Sequence, residues 1–493
     1  MSGTSLELRL QPDASRYCTP HFLEDVVARG GERTAIRFGG SDLSYRELER
    51  QVRALARGLL AAGVDKGTRV AVLMANRPEW AVASLAVGLV GGVLIPVNTF
   101  ATPIERDYIL RHSDAAFLLM QPRLLERDLI RELTERHPEI ALGTPGSLRL
   151  PALPRLRRIA VLGDAVAGGA MQGLDEIIAA GQDVPDAVLD AVAGEVGPSD
   201  DSVIIYTSGT TAHPKGVLHL QRACVIQSWR FAEYMELAPD DVVWTAQPFF
   251  WTAGMCMSLG ATLAAGACLV LEETFDAGSA LETIAREGAT TLHAWPHQEK
   301  AMAEHTRAAD TDLSRVTKVE FASPLAPLAG LERDVWGTYG SYGLSETFTL
   351  ASALPASAPA ELRRETSGRP LPGMEIRVLD PETGAEQPLG EKGEIAVRGI
   401  TLMSGYYKVE PDPTCAPFEP LRCDRFISEC TFGLPVYRWP PARLVFDEID
   451  QWWSDNRAAG RASIVFAYAL GKAQRLLAGV NASIGPILVH GAV

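Results

Sequence analysis

Strand-like and helix-like segments alternate through the first 400 residues, and this alternation constrains the fold more than any other feature of the chain. Apolar runs of strand length occur at 68–74 (TRVAVLM), 93–98 (VLIPVN), 115–120, 203–206, 242–246, 268–271, 290–295 and 316–322, with helical patterns between them. Strands joined through helices pair in parallel, and the crossovers cover both faces of the sheet. A layered α/β body follows. The helix expected over 78–92 carries Pro78 in its first turn. The helix expected over 102–113 has Thr102 as N-cap and Pro103 at the first helical position.

Two uncharged runs, from Trp80 to Ile104 and from Val242 to Leu271, have to be weighed as membrane spans. Gly88, Gly91, Gly92 and Pro96 cut the first; Gln247, Pro248, Gly254, Gly260 and Gly266 cut the second. The pieces fall short of the about 20 apolar residues that a spanning helix needs. Parallel strands are buried on both faces, so the runs read as core and no span is expected. The first 20 residues lack an apolar signal-peptide core, and the seven cysteines include no C-x2-C pair. The chain reads as cytoplasmic. Its net charge of −15 argues against nucleic acid as a partner, because that binding needs a basic footprint. The oligomeric state is left open.

The texture changes twice. After Ser367 short strands and turns replace the alternation, at 374–379, 380–384 and 394–399, which reads as a small β subdomain. Near residue 414 the charge changes: the first 414 residues carry −16 and the last 79 carry +1. The expected division is therefore 1–366, 367–414 and 415–493.

The most informative segment is IYTSGTTAHPKGV, residues 205–217. An apolar strand runs into a loop where Thr207, Ser208, Thr210 and Thr211 offer hydroxyls and Gly209 lets the backbone approach an anion. Lys215 adds a point charge suited to phosphate; it is one of only seven lysines among 46 basic residues. The spacing is not that of a Walker A loop.

This loop resembles the signature of the AMP-forming acyl-CoA synthetases and related adenylating enzymes. Tyr342-Gly343-Leu344-Ser345-Glu346 resembles their Tyr-Gly-x-Thr-Glu motif, and Ala322-Ser323-Pro324-Leu325 the turn flanking adenine. Residues 393–399 (GEIAVRG) and 403–407 (MSGYY) resemble the small β subdomain. The likeness runs from about His21 to Thr414. It implies a large N-terminal adenylating domain that uses ATP, Mg²⁺ and CoA to activate a carboxylic acid. By the resemblance, Thr207, Ser208, Gly209, Thr210, Thr211 and Lys215 hold the β- and γ-phosphates. Ser323, Tyr342, Gly343 and Ser345 belong to the nucleotide site, with Tyr342 stacked on adenine. Glu346 binds Mg²⁺, and Lys215 and Glu346 are the expected catalytic pair. Ala212 stands where the family usually has Gly, and Ser345 where it has Thr.

The segment from Pro248 to Gly254 resembles the one that lines the acyl pocket, with Phe250, Trp251 and Gly254 as candidates. No acidic residue occurs there before Glu272. An amino-acid substrate would leave its ammonium unpaired, which disfavours it. A hydrophobic acid, fatty or aromatic, fits better. Residues 291–297 (TLHAWPH) resemble the opposite wall, with His293, Trp295 and His297 as lining candidates.

Past Thr414 the family pattern calls for a Thr-Gly-Asp, a hinge and a lid domain. No Thr-Gly-Asp occurs there. Gly471-Lys472-Ala473-Gln474-Arg475 imitates the lid's lysine motif but lies 66 residues past Tyr406, too close for the missing parts. Residues 423–433 and 466–477 instead resemble a metallo-β-lactamase/β-CASP exonuclease of the DNA-ligase-associated type. Glu429 matches an acidic position there, but the tail has only one histidine, His490, and no two-metal site can be built from it. The chain therefore reads as an adenylating enzyme without its lid, joined to a foreign fragment, with turnover impaired. The alternatives are a metal-dependent exonuclease acting through the tail and a nonfunctional fusion product. A helix is expected over 442–458, with Trp452 and Trp453 exposed.

Overall fold

Parallel pairing dominates, as the alternation requires. The computed structural model describes residues 13–163, 168–207, 214–408, 426–428, 442–460, 480–481 and 483–485. One sheet has five strands in the order Thr291–His293, Val242–Thr245, Cys268–Leu271, Thr34–Phe38 and Ser41–Ser44. The first four are parallel and the last is antiparallel. The other sheet has eight, in the order Gly405–Tyr407, Lys215–Leu220, Asp201–Thr207, Val93–Pro96, Arg69–Leu73, Phe117–Met120, Arg158–Val161 and Met171–Gly173. Six of these run parallel, and Lys215–Leu220 and Gly405–Tyr407 add an antiparallel edge.

The two uncharged runs are core. In the helix Pro78–Leu89, nine of twelve residues are buried, among them Trp80, which packs against Phe249 at 5.2 Å between ring centroids. No described helix is long and apolar enough to cross a membrane. The helix Pro103–His112 starts where its cap predicts. Thr102 Oγ1 accepts from the Glu105 amide at 3.3 Å, and the Thr102 amide donates to Glu105 Oε2 at 2.7 Å, a reciprocal capping box.

One expected strand does not form. Over 316–322 only Lys318 bridges to Thr291. The chain is pinned there by the Lys318–Asp241 ion pair at 2.5 Å, and the Ser323 amide then closes a turn onto the Glu320 carbonyl. The small β unit is an antiparallel sheet of Met374–Leu379, Glu394–Gly399 and Phe426–Ser428. Its third strand lies past residue 414. Gly405–Tyr407, assigned from sequence to this small unit, instead pairs with the large sheet.

The described residues fall into two compact units. The first holds both sheets and residues 426–428. The second holds the helix Ala442–Ala458 and residues 480–481 and 483–485; in it the Asn481 amide donates to Asp450 at 2.9 Å, and Trp452 is exposed.

Thr102→Ala should lower stability by about 1 kcal/mol, seen as an earlier midpoint in urea unfolding. Thr102→Ser keeps the accepting oxygen and should recover most of the loss.

Candidate active site

The hydroxyl-rich segment closes an antiparallel hairpin. Thr207, the last residue of one strand, lies opposite Lys215, the first of the next. Both are half-buried. Ser208, Gly209, Thr210, Thr211 and Ala212 lie outside the described residues. On the far side of the Lys215 strand, Tyr406 pairs with Val217. The Tyr406 hydroxyl donates to Glu346 Oε1 at 2.7 Å, and Lys215 Nζ lies 5.6 Å from the centre of the Tyr406 ring. Burial pulls the Lys215 ammonium below the ordinary lysine range, and the Glu346 charge works against that.

The same strand fixes the turn that carries Glu346. His219 is fully buried, and its Nε2 donates to the Ser345 carbonyl at 2.7 Å. A carbonyl can only accept, so Nε2 bears the proton. Burial drives the His219 pKa down to about 4, opposed by that hydrogen bond. From the other side, the Met403 amide donates to the Glu346 carbonyl at 2.7 Å. Lys215 and Glu346, distant in sequence, thus meet at one corner.

The Tyr342–Ser345 stretch is built on close backbone approach. A Cβ at Gly343 would stand 1.4 Å from the Thr349 carbonyl oxygen, so only glycine fits. Phe348 and Thr349 follow with φ of 50° and 93°, left-handed values rare for such residues. Thr347 Oγ1 ties the loop by donating to the Leu344 carbonyl at 3.0 Å and to that of Thr349 at 3.1 Å. Tyr342 is half-buried against the main core. Ser323 is buried in its turn, with Oγ accepting from the Leu325 amide at 3.2 Å.

A cavity of about 820 Å³ lies outside the carboxyl ends of the five-stranded sheet. Phe250, Trp251, Trp295 and His297 line it, as the sequence indicates, together with Phe100 and Asn76, which it did not single out. The aromatic wall is continuous: Phe250–Trp251, Phe100–Phe250 and Trp251–Trp295 centroids are 5.0, 5.6 and 6.2 Å apart. Gly254 is not on the wall. It permits the turn beneath it, where a Cβ would come within 2.1 Å of the Pro248 carbonyl oxygen. His293 also turns away, into a buried network in which Ser258 Oγ lies 3.1 Å from His293 Nδ1 and 2.9 Å from Thr245 Oγ1. Burial pushes its pKa down to about 4. Glu272 and Glu273 do reach the cavity, but both are engaged. Glu273 takes Arg77 at 2.9 Å and Gln121 at 2.8 Å, and Glu272 takes the Trp244 indole at 2.8 Å.

Among the described residues no group of three or more His, Cys, Asp or Glu could enclose a metal ion. Mg²⁺ commonly takes one or two carboxylates and completes its sphere with substrate phosphates and water. Glu346 fits that role. The tail positions Glu429, Lys472 and His490 lie outside the described residues.

Two layered α/β sheets, a corner that brings Lys215 and Glu346 together, and an aromatic cavity are what the fold presents. The comparisons make this specific. The AMP-binding enzyme family matches residues 23–407. A feruloyl-CoA synthase of Amycolatopsis sp is 32% identical over 378 residues, 76% of this chain and 68% of that one. The 3-[(3aS,4S,7aS)-7a-methyl-1,5-dioxo-octahydro-1H-inden-4-yl]propanoyl:CoA ligase of Rhodococcus jostii (strain RHA1) is 30% identical over 403 residues, 80% of this chain and 73% of that one. The crystal structure of the anthranilate CoA ligase AuaEII in complex with anthranoyl-AMP superposes with a TM-score of 0.66 at 21% identity, over 82% of this chain and 73% of that one, which shows the fold. The chain belongs to the AMP-binding enzyme family, among the acyl-CoA ligases.

His219 and His293 make stability depend on pH. The unfolded chain protonates such imidazoles near pH 6.5, the folded chain only near pH 4. The unfolded state thus binds more protons between these values, and stability should fall as pH drops through that window. Urea unfolding at pH 7, 6, 5 and 4.5 measures the slope, and His219→Gln should flatten it.

Proposed function

We propose that this enzyme activates a hydrophobic carboxylic acid, fatty or aromatic, in two half-reactions. The acid's carboxylate attacks the α-phosphate of ATP, forming an acyl-adenylate and releasing pyrophosphate. The thiol of CoA then displaces AMP. The observation that carries this reading is the aromatic cavity, where Glu273 is paired with Arg77 and Glu272 is held by the Trp244 indole and the Ser279 and Thr283 hydroxyls. Aromatic rings make up the wall around the substrate position, which suits an apolar acid better than an ammonium.

The residues divide the work. Thr207, Ser208, Gly209, Thr210 and Thr211 donate to the β- and γ-phosphates, and Lys215 neutralises them. Glu346 holds Mg²⁺, which supplies further charge neutralisation when bound. Ser323, Tyr342, Gly343 and Ser345 form the adenine side. Phe250, Trp251, Trp295 and His297 receive the acid, and Gly254 keeps the turn below them tight. Two anions must be brought together, so positioning and electrostatic stabilisation carry most of the catalysis. We place the catalytic body in 1–366 and the small β unit in 367–414, with the strand 426–428 added to it from the segment 415–493. The family match, which ends at residue 407, supports only the change of pattern beyond that point. No Thr-Gly-Asp follows residue 414, so turnover is proposed to be impaired, adenylation included.

ATP–pyrophosphate exchange with panels of fatty, aromatic and amino acids tests the reading. Hydrophobic acids should support exchange, and Lys215→Ala or Glu346→Gln should each lower it roughly 100-fold. Faster exchange with amino acids would overturn the substrate assignment. Exchange should run well below that of intact relatives; turnover near theirs would refute the impairment.

A further inference from the structure

The phosphate corner has a geometric feature that the family motifs do not explain. Lys215 and Glu346 carry opposite charges in a half-buried site and feel each other's field, yet no ion pair joins them. Tyr406 touches both. Its hydroxyl takes Glu346 Oε1 at 2.7 Å, and its ring meets the Lys215 ammonium 5.6 Å from the centroid, within cation–π range.

Tyr406 is itself firmly held. Its strand pairs with the Lys215 strand, Val217 opposite Tyr406 and Gly216 opposite Tyr407. The neighbouring Tyr407 hydroxyl donates to Asp114 at 3.0 Å, and Lys408 pairs with the same carboxylate at 2.5 Å. His112 Nε2 lies 2.9 Å from the Lys408 carbonyl oxygen and donates to it. The side chain that engages both charges is therefore carried on an anchored edge strand.

We propose that Tyr406 is a positioning residue that holds Lys215 and Glu346 apart, so that both charges meet the metal–nucleotide complex rather than each other. In a partly desolvated site the attraction between a lysine and a carboxylate is strong. A direct pair would neutralise both and remove them from the phosphates and the metal. The ring offers the ammonium a weaker, reversible partner. The hydroxyl fixes one carboxylate oxygen and so sets the direction in which the other points. This inference rests on the nucleotide site proposed above.

The test uses the full chain and two variants, Tyr406→Phe and Tyr406→Leu. Mn²⁺ serves as the probe metal, followed by electron paramagnetic resonance in the presence of ATP, and ATP alone is titrated calorimetrically in EDTA. Tyr406→Phe keeps the ring and loses the hydroxyl; it should weaken Mn²⁺ binding about tenfold and leave metal-free ATP affinity unchanged. Tyr406→Leu also loses the ring and should weaken metal-free ATP binding as well. Affinity for the acid and the melting temperature should stay at parent values in both. Unchanged Mn²⁺ and ATP binding in both variants would overturn the proposal. So would a uniform loss of metal, nucleotide and acid binding with a lowered melting temperature, which would mark the tyrosine as packing only. A parent chain that binds no Mn·ATP would overturn the nucleotide site itself, and this inference with it.

Discussion

The register of one antiparallel strand decides what meets at the corner of Lys215 and Glu346. Lys215–Leu220 lies between Asp201–Thr207 and Gly405–Tyr407, with Thr207 opposite Lys215 and Tyr406 opposite Val217. Side chains alternate along a strand, so Lys215, Val217 and His219 share a face. A slip of one residue would turn that face away and take the ammonium and the imidazole with it. His219 extends the strand's control to the next part of the site. It anchors the Ser345 carbonyl, and with it the turn that carries Glu346.

That turn depends on a second constraint, lack of room. Gly343 runs against the Thr349 carbonyl so closely that no side chain can stand there, and the chain then passes through two left-handed residues. Strain of this kind persists only where surrounding bonds over-determine it. Here Thr347 supplies them, with Phe348 fully buried below. The aromatic cavity is walled differently, by rings edge to face over strand ends, and the buried His293 nearby serves the scaffold through Ser258 rather than the lining.

Much of this was legible in the sequence because it is periodic or local. Cys268–Leu271, Met374–Leu379, Glu394–Gly399 and the helix Ala442–Ala458 fall where apolar spacing places them, and Thr102 and Glu105 announce their own helix start. What was missed depends on partners far along the chain. Gly405–Tyr407 is three residues long and has no period to read, so its place on the large sheet is set only by the strand it meets. Tyr406 follows from that pairing and was invisible without it. The run at 316–322 has a strand's composition, but an ion pair at Lys318 and a turn at Glu320 stop the ladder after one bridge. His293 looked like a pocket residue because alternation does not say whether a side chain at a strand end meets a cavity or a serine.

The short strand Gly405–Tyr407 also has a meaning for solubility. Lys215–Leu220 would otherwise be the rim of a seven-stranded sheet, with unmatched amides and carbonyls beside apolar Val217 and Leu218. Open rims of this kind recruit strands from other molecules. Three residues, bonded at Gly216, Val217 and Leu218, close it. A version of this protein cut before Gly405 would keep its core and still tend to self-associate.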